Sequence, residues 1–409
     1  MKIINPFKYT GEIKVNSSKS NVQRLLAIAL LSDGETTLNG YQSCSDNDAC
    51  LSIIKQLGAK VIGDKSLTIY PPQKEKQKDI SLFVNESGLS LRMFAFISSL
   101  FGNKIKLSAS GTLLKRPLDF LQQSLENSGL TVTNGVFPFE YHGELRGGHI
   151  HIDGSESSQM LTGLLISSPL LSIDTTITVS NLASKPYIDL TLQLMKEFEV
   201  SVENNNYHTF EIKGNQRYFG KDIVIEGDWS GAANHVIGAA ISGKVKLLGL
   251  SPNSLQADRI CLEIVSQFGA KITWLNGDLI VEKAKKPTPI VVDLTNNPDL
   301  FPILAILACA AIGTSVFTST DRLIHKESNR LETVQEMLTA LGVSFTLGKN
   351  NIEIHGKGFV DGGVINSFND HRIAMAAAIS ACISTSKIQL TNPTCIEKSY
   401  PMFFNDLGL

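Results

Sequence analysis

Leu25-Leu26-Ala27-Ile28-Ala29-Leu30-Leu31 is a run with no polar side. At helical periodicity it has no face to offer water, so it predicts a helix buried all round. Five more runs share its character: Met93-Phe94-Ala95-Phe96-Ile97, Leu161-Thr162-Gly163-Leu164-Leu165-Ile166, Val236-Ile237-Gly238-Ala239-Ala240-Ile241, Leu304-Ala305-Ile306-Leu307-Ala308 and Ile373-Ala374-Met375-Ala376-Ala377-Ala378-Ile379. These helices begin near Ser20, Gly88, Ser157, Ser230, Asp299 and Asp370, at a period of roughly seventy residues. Gly34, Gly102, Gly243 and Gly313 mark where most of them stop. A helix buried along its length meets water only at its ends. Its N-terminus presents unpaired N–H groups and a partial positive charge, which suit phosphate or carboxylate. Six such ends, furnished with Lys, Ser, Asp, His and Arg, point to small, highly charged substrates.

A second series of helices, amphipathic this time, keeps the same period and starts near Asp46, Arg116, Lys185, Leu255, Glu327 and Ile396. Five of them lead into related phrases: Leu57-Gly58-Ala59-Lys60-Val61, Ser128-Gly129-Leu130-Thr131-Val132, Phe198-Glu199-Val200-Ser201-Val202, Phe268-Gly269-Ala270-Lys271-Ile272 and Leu341-Gly342-Val343-Ser344-Phe345. Alternating strands such as Leu67-Thr68-Ile69-Tyr70 and Leu279-Ile280-Val281-Glu282 follow. The unit is strand, buried helix, strand, amphipathic helix, strand, strand. The sixth copy stops at Leu407-Gly408-Leu409, where its strand pair should begin, while Lys2-Ile3-Ile4 and Gly11-Glu12-Ile13-Lys14-Val15 are strand-like runs left over. The N-terminus is therefore expected to complete the last repeat. That makes an α/β protein of six βαβαββ repeats in two domains. Residues 16–227 carry repeats one to three, and residues 1–15 with 228–409 form a discontinuous second domain of repeats four to six. The chain crosses near Asn16 and Gly227, and the active site is expected in the cleft between the domains.

Composition narrows the function classes. A chain of 409 residues exceeds one ordinary core, and 43% hydrophobic with 19% charged residues reads as globular. A net charge of −2 with no Lys/Arg block gives no footprint for nucleic acid. The longest apolar stretch, Phe301 to Gly313, is too short to span a bilayer, and Met1-Lys2-Ile3-Ile4-Asn5-Pro6 lacks a signal-peptide core. Cys44, Cys50, Cys261, Cys309, Cys382 and Cys395 show no metal-ligand spacing and read as reduced thiols. The expectation is a cytoplasmic monomer with no membrane or nucleic-acid partner.

The charged residues cluster near helix starts. Lys19-Ser20 and Arg24 open the first buried helix, Arg92 lies one turn inside the second behind Glu86-Ser87-Gly88, and Arg116 precedes Pro117. Ser157-Ser158-Gln159, Ser184-Lys185-Pro186-Tyr187-Ile188-Asp189, Asp299, Lys326-Glu327-Ser328-Asn329-Arg330, Asn369-Asp370-His371-Arg372 and Lys398 follow. Taken singly, Ser157, Asp299 and Asp370 are N-caps, Glu327 and Arg330 a surface pair, and His371 a structural histidine. Taken together, independent caps do not explain why Lys19, Arg24, Arg116, Arg330, Arg372 and Lys398 recur at helix starts and nearby loops.

In this order and spacing the motifs resemble the 5-enolpyruvylshikimate-3-phosphate synthase family, from about Lys14 to Leu407. The resemblance implies a two-domain enolpyruvyl transferase fold, an inside-out α/β barrel with buried helices, three repeats per domain. It implies transfer of the enolpyruvyl group of phosphoenolpyruvate to the 5-hydroxyl of shikimate 3-phosphate through a tetrahedral adduct, with no metal and no organic cofactor. Carried over by position, Lys19, Ser20, Arg24, Ser157, Ser158, Gln159, Ser184, Tyr187, Asp299, Arg322 and Lys326 would hold shikimate 3-phosphate. Lys19, Gly88, Arg92, Arg116, Gln159, Arg330, His371, Arg372 and Lys398 would hold phosphoenolpyruvate. Asp299 would be the base and Glu327 the acid, with Lys19 assisting.

Three places depart from the family's usual pattern: Asn16-Ser17-Ser18 before Lys19, Asn85-Glu86-Ser87-Gly88-Leu89 in the glycine-rich loop, and Arg322 where Asn is common. Leu89 and Glu86 are expected to crowd and repel the inhibitor glyphosate. Two rivals remain. One is the sister transferase acting on UDP-N-acetylglucosamine, which relies on a loop cysteine that Ala109-Ser110-Gly111-Thr112-Leu113-Leu114-Lys115-Arg116-Pro117 lacks. The other is a non-catalytic, metabolite-binding relative.

Overall fold

A computed structural model of the chain describes residues 1–73 and 77–409. The chain divides into two compact units, one of Lys19–Ile225 and one of Met1–Ser18 with Glu226–Leu409. The apolar runs are helices: Lys19–Leu31, Gly88–Ile97 and Gln159–Ser167 in the first unit, Trp229–Ser242, Phe301–Cys309 and His371–Ser380 in the split unit. Every residue of Phe301–Cys309 is buried. Each fully buried Leu, Ile or Phe contributes about 1.5–3 kcal/mol, so a helix with no polar stripe stands only inside a layer of sheets. Each unit has its own core built on its three helices. Gly163 shows how closely they pack: a Cβ there would lie 2.8 Å from the Met93 carbonyl oxygen and 2.9 Å from the Phe96 ring. Only glycine lets Gln159–Ser167 lie that near Gly88–Ile97.

Amphipathic helices Ser45–Gln56, Asp119–Asn127, Lys185–Glu197, Cys261–Phe268 and Arg330–Ala340 alternate with the buried ones. The sixth departs from expectation. Where a helix from Ile396 was expected there is a 3-10 turn, Pro393–Lys398, and a short helix, Phe403–Asp406. Pro393 and Pro401 each lack the N–H that a continuous helix needs.

Among the described residues there are five four-stranded sheets and one three-stranded sheet. The pattern is clearest in Gln77–Phe83, parallel to Gly102–Ser108, which pairs antiparallel with Phe139–Gly143, itself antiparallel to Leu130–Asn134. The N-terminus corrects the sequence expectation in part. Lys2–Ile4 does join the last repeat, antiparallel to Ile388–Thr391. Thr10–Lys14 instead heads the fourth repeat, parallel to Lys244–Leu248. Reciprocally, Asp222–Val224 heads the first repeat, parallel to Thr36–Asn39. Each of these two leading strands pairs within its own unit, although the buried helix that follows it in the chain belongs to the other unit.

Among the described residues, no helix is long and apolar enough to cross a membrane. All six cysteines are free thiols, and only Cys382 is more than slightly exposed.

Candidate active site

In the Lys19–Ile225 unit, cations are buried against neutral groups. Arg24, 1% exposed, donates from Nε to Thr191 Oγ1 at 2.9 Å, from Nη1 to the Ser20 carbonyl at 2.9 Å and from Nη2 to the Tyr187 carbonyl at 3.3 Å. Burial pulls its guanidinium down to about 10. Arg92 donates to Gln159 Oε1 at 3.1 Å and to the Gly88 carbonyl at 3.4 Å. Its guanidinium is also pulled down to about 10, by burial first and then by the neighbouring charge of Arg116. Arg116 Nε is buried with no hydrogen-bond partner among the described residues. Two like charges this close, one of them buried, favour an anion beside them. Lys19 is the exception, bonded at 2.8 Å to Asp46.

Around these cations lie hydroxyls. Ser157 Oγ accepts from the Gln159 N–H at 3.2 Å, while Ser158, buried at the helix start, makes no side-chain cap. Ser184 holds a left-handed φ of 57° just before Lys185–Glu197 and accepts the Tyr187 N–H on its carbonyl at 3.1 Å. A non-glycine residue in that region is strained, and such residues gather at ligand sites. Of the unusual loop residues, Leu89 packs against the unit's core and Glu86 accepts from the Thr112 hydroxyl at 3.2 Å. Both therefore have local partners.

The split unit is organised differently, with acids and bases interleaved. Arg330, 2% exposed at its side chain, donates from Nε to Asp370 Oδ2 at 2.8 Å and from Nη1 to Asp299 Oδ1 at 2.5 Å. Arg372 Nη2 reaches the other oxygen of Asp299 at 2.7 Å. Burial alone would raise the Asp299 carboxyl, but Arg372, Arg330 and Lys326 together hold it far below the usual carboxylate range. Glu327 Oε2 lies 2.9 Å from His371 Nδ1 and 3.9 Å from Lys398 Nζ. His371 Nε2 is buried and without a hydrogen-bond partner among the described residues. Lys398 donates to the Asn369 carbonyl at 2.7 Å. Arg322 donates to the Thr295 carbonyl, in the turn before Asp299.

The single-residue readings separate here. Asp370 does cap its helix, accepting the Arg372 N–H at 2.9 Å. Asp299 is no cap; it stands in the 3-10 turn Pro298–Leu300 and faces arginines. Glu327 and Arg330 are not a surface pair, since each is taken by other partners. Ligand atoms of Glu327, Asp370 and His371 lie within 4.8 Å of one another. Glu327 and His371 bond each other and Asp370 bonds Arg330, so the trio is already satisfied without a cation.

Sequence reasoning passed over Asp46, Asp258, Thr191 and Asn297. Asp46 reads as a helix-dipole charge in a first turn. Asp258 carries no sequence signal, yet it is 1% exposed, accepts from Ser230 Oγ and Asn297 Nδ2, and lies 3.9 Å from Arg372 Nη1. Burial pushes its carboxyl up to about 6, Arg372 opposing and Asp299 adding to the rise. An acid whose folded pKa lies above its unfolded value favours folding when protonated. Its penalty is absent near pH 4, grows as pH rises, and is complete above about pH 6. Asp258→Asn should therefore raise the melting midpoint at pH 7.5, by on the order of 2–3 kcal/mol of stability. The gain should vanish near pH 4. An equal gain at both pH values in a melting series would refute this account.

The family model described as EPSP synthase (3-phosphoshikimate 1-carboxyvinyltransferase) matches residues 4–407. The chain is 34% identical to a 3-phosphoshikimate 1-carboxyvinyltransferase of Clostridium novyi, covering 99% of this chain and 96% of that protein. It is also 34% identical to one from Methanocorpusculum labreanum, covering 99% and 97%. An EPSP synthase structure from Acinetobacter baumannii superposes with a TM-score of 0.83 at 24% identity, over 99% of this chain and 97% of that one, a likeness of fold.

Proposed function

We propose, from the premise that the chain belongs to the EPSP synthase (3-phosphoshikimate 1-carboxyvinyltransferase) family, that both clusters bind the anionic substrates and that the carboxylates of the split unit add the proton transfer. The enzyme is a transferase of the shikimate pathway that moves the enolpyruvyl group of phosphoenolpyruvate to shikimate 3-phosphate. The observation that carries this reading is the contrast in partners. Among the described residues, Arg24, Arg92 and Arg116 have no hydrogen-bonded carboxylate, though the Glu156 charge acts on Arg92, whereas Arg330, Arg372, Lys398 and His371 each face one.

On this reading Arg24 with Ser20 takes the shikimate carboxylate, and Ser157, Ser158, Ser184 and Lys326 its phosphate, with Gln159 and Tyr187 along the ring. Lys19, Arg92, Arg116, Arg330, Arg372 and Lys398 take phosphoenolpyruvate. Several oriented cations are needed because both substrates are polyanions. Asp299 removes the proton of the 5-hydroxyl as its oxygen bonds C2 of phosphoenolpyruvate, and Glu327 protonates C3. The tetrahedral adduct then returns a C3 proton to Glu327 and breaks the C2–O bond to the phosphate, which leaves and takes up the proton held by Asp299. Phosphoenolpyruvate draws on the same arginines that hold Asp299, so its arrival weakens their pull and restores basicity to that carboxylate. The absence of a metal or organic cofactor, the monomeric state and the cytoplasmic location belong to the same proposal.

The test is phosphate release from phosphoenolpyruvate with shikimate 3-phosphate or UDP-N-acetylglucosamine as co-substrate. Release with the sugar nucleotide alone, or with neither, would overturn the reading. Gly88 offers a finer check. A Cβ there would lie 2.7 Å from Arg116 Nη1 and 3.0 Å from Arg92 Nη1, so both guanidinium ends must shift. Gly88→Ala should raise the KM for phosphoenolpyruvate by about tenfold and leave that for shikimate 3-phosphate near its parental value. Equal effects on both substrates would remove Gly88 from the phosphoenolpyruvate subsite.

A further inference from the structure

Phe368 and Asn369 hold consecutive left-handed φ values of 52° and 58°. A bulky aromatic residue rarely stays in that region unless its surroundings over-determine it. The turn has a consequence for three cations. It aims the Asn369 carbonyl at Lys398 Nζ, 2.7 Å away. It also delivers the Asp370 carboxylate, wholly buried, to Arg330 side-on, with Nε–Oδ2 at 2.8 Å and Nη2–Oδ1 at 3.4 Å. The same carboxylate accepts the Arg372 backbone N–H at 2.9 Å and the Ser328 hydroxyl at 3.0 Å. One side chain thus sets the guanidinium of Arg330 and the backbone of Arg372.

A buried ion pair is a poor source of stability, because desolvating two charges offsets most of their attraction. Its value here is geometric. A side-on pair fixes the plane of the guanidinium and leaves Nη1 as the end pointed at Asp299. A capped helix start likewise fixes where the Arg372 side chain departs from the backbone.

We propose that Asp370 is a positioning residue for phosphoenolpyruvate: it never touches substrate but holds Arg330 and Arg372 in register to receive the anion. This rests on the assignment of those arginines to phosphoenolpyruvate. Its failure is distinguishable, since the parental enzyme's phosphate release tests the assignment of the reaction without reference to Asp370.

The experiment is steady-state kinetics of Asp370→Asn, which preserves shape and capping but removes the charge. The KM for phosphoenolpyruvate should rise on the order of tenfold or more, with shikimate 3-phosphate binding, read by calorimetry, within about twofold of parental. In a cycle with Arg330→Lys the two effects should be strongly non-additive, because both act through one guanidinium. A merely structural role would lower melting temperature, affect both substrates alike and give an additive cycle; any of these kinetic outcomes overturns the proposal. Should Asp370→Asn not fold, Ser328→Ala decides. It removes one bond to the same carboxylate and should raise the phosphoenolpyruvate KM by about twofold to fivefold. An unchanged KM there overturns the proposal as well.

Discussion

Asp299→Asn should lower turnover on the order of a hundredfold or more without weakening phosphoenolpyruvate binding. The first half follows from chemistry: an amide of the same shape cannot take the proton of the 5-hydroxyl. The second follows from geometry. Both Asp299 oxygens are bonded by Arg330 and Arg372. These are the cations assigned to the incoming anion. The carboxylate is therefore a competitor for its own substrate's site, and the amide is a weaker one. Arg330 keeps Asp370 and Arg372 keeps Asp258 nearby, so neither is left unneutralised. Glu327→Gln should cost turnover on the same scale, because Glu327, bonded to His371 and close to Lys398, is the proposed proton donor. Shikimate 3-phosphate should still bind that variant. Near-parental turnover in both variants would sink the acid–base assignment, and weaker phosphoenolpyruvate binding in Asp299→Asn would refute the competition.

Arg24→Met should raise the KM for shikimate 3-phosphate on the order of a hundredfold while the protein stays folded. Arg24 is a fully buried cation whose hydrogen bonds end on two carbonyls and a hydroxyl. Keeping such a group charged costs stability, because burial opposes the charged form. Met fills similar volume without charge, and replacement of buried charge by packed apolar atoms is often neutral or stabilising. The melting midpoint should thus hold within a few degrees while binding of the shikimate carboxylate is lost. A parental KM, or an equal loss for phosphoenolpyruvate, would move Arg24 out of the shikimate subsite.

How much was legible differs between the repeat and the site. The repeat rests on local signals. Apolar runs without a polar stripe, such as Leu304–Ala308, can only be buried, and phrases such as Phe268-Gly269-Ala270-Lys271-Ile272 mark a helix stop followed by a strand. At the site the cations and hydroxyls were legible as anion-binding groups, and the acid–base roles of Asp299 and Glu327 only through the family resemblance. Their partners were not. Lys19 meets Asp46, Glu327 meets His371 and Arg330 meets both Asp299 and Asp370, all across separations of 27 residues or more. Nothing local to Asp46 or Asp258 distinguishes a ligand-organising carboxylate from a surface one.

The amino-acid sequence by itself determined the α/β class and the sixfold repeat, and its motifs carried the family resemblance that implied enolpyruvyl transfer. Periodicity, turn glycines and motif order are properties of neighbouring residues. Tertiary structure alone decided which sheet each strand joins and which acid neutralises which cation. Thr10–Lys14, expected in the last repeat, pairs with Lys244–Leu248, and Asp222–Val224 pairs with Thr36–Asn39. Main-chain hydrogen bonding does not distinguish one parallel partner from another, so register and packing across the whole unit make the choice. For the same reason Asp299 is a clamped carboxylate, since its basicity depends on Arg330 and Arg372, brought beside it only when the unit folds.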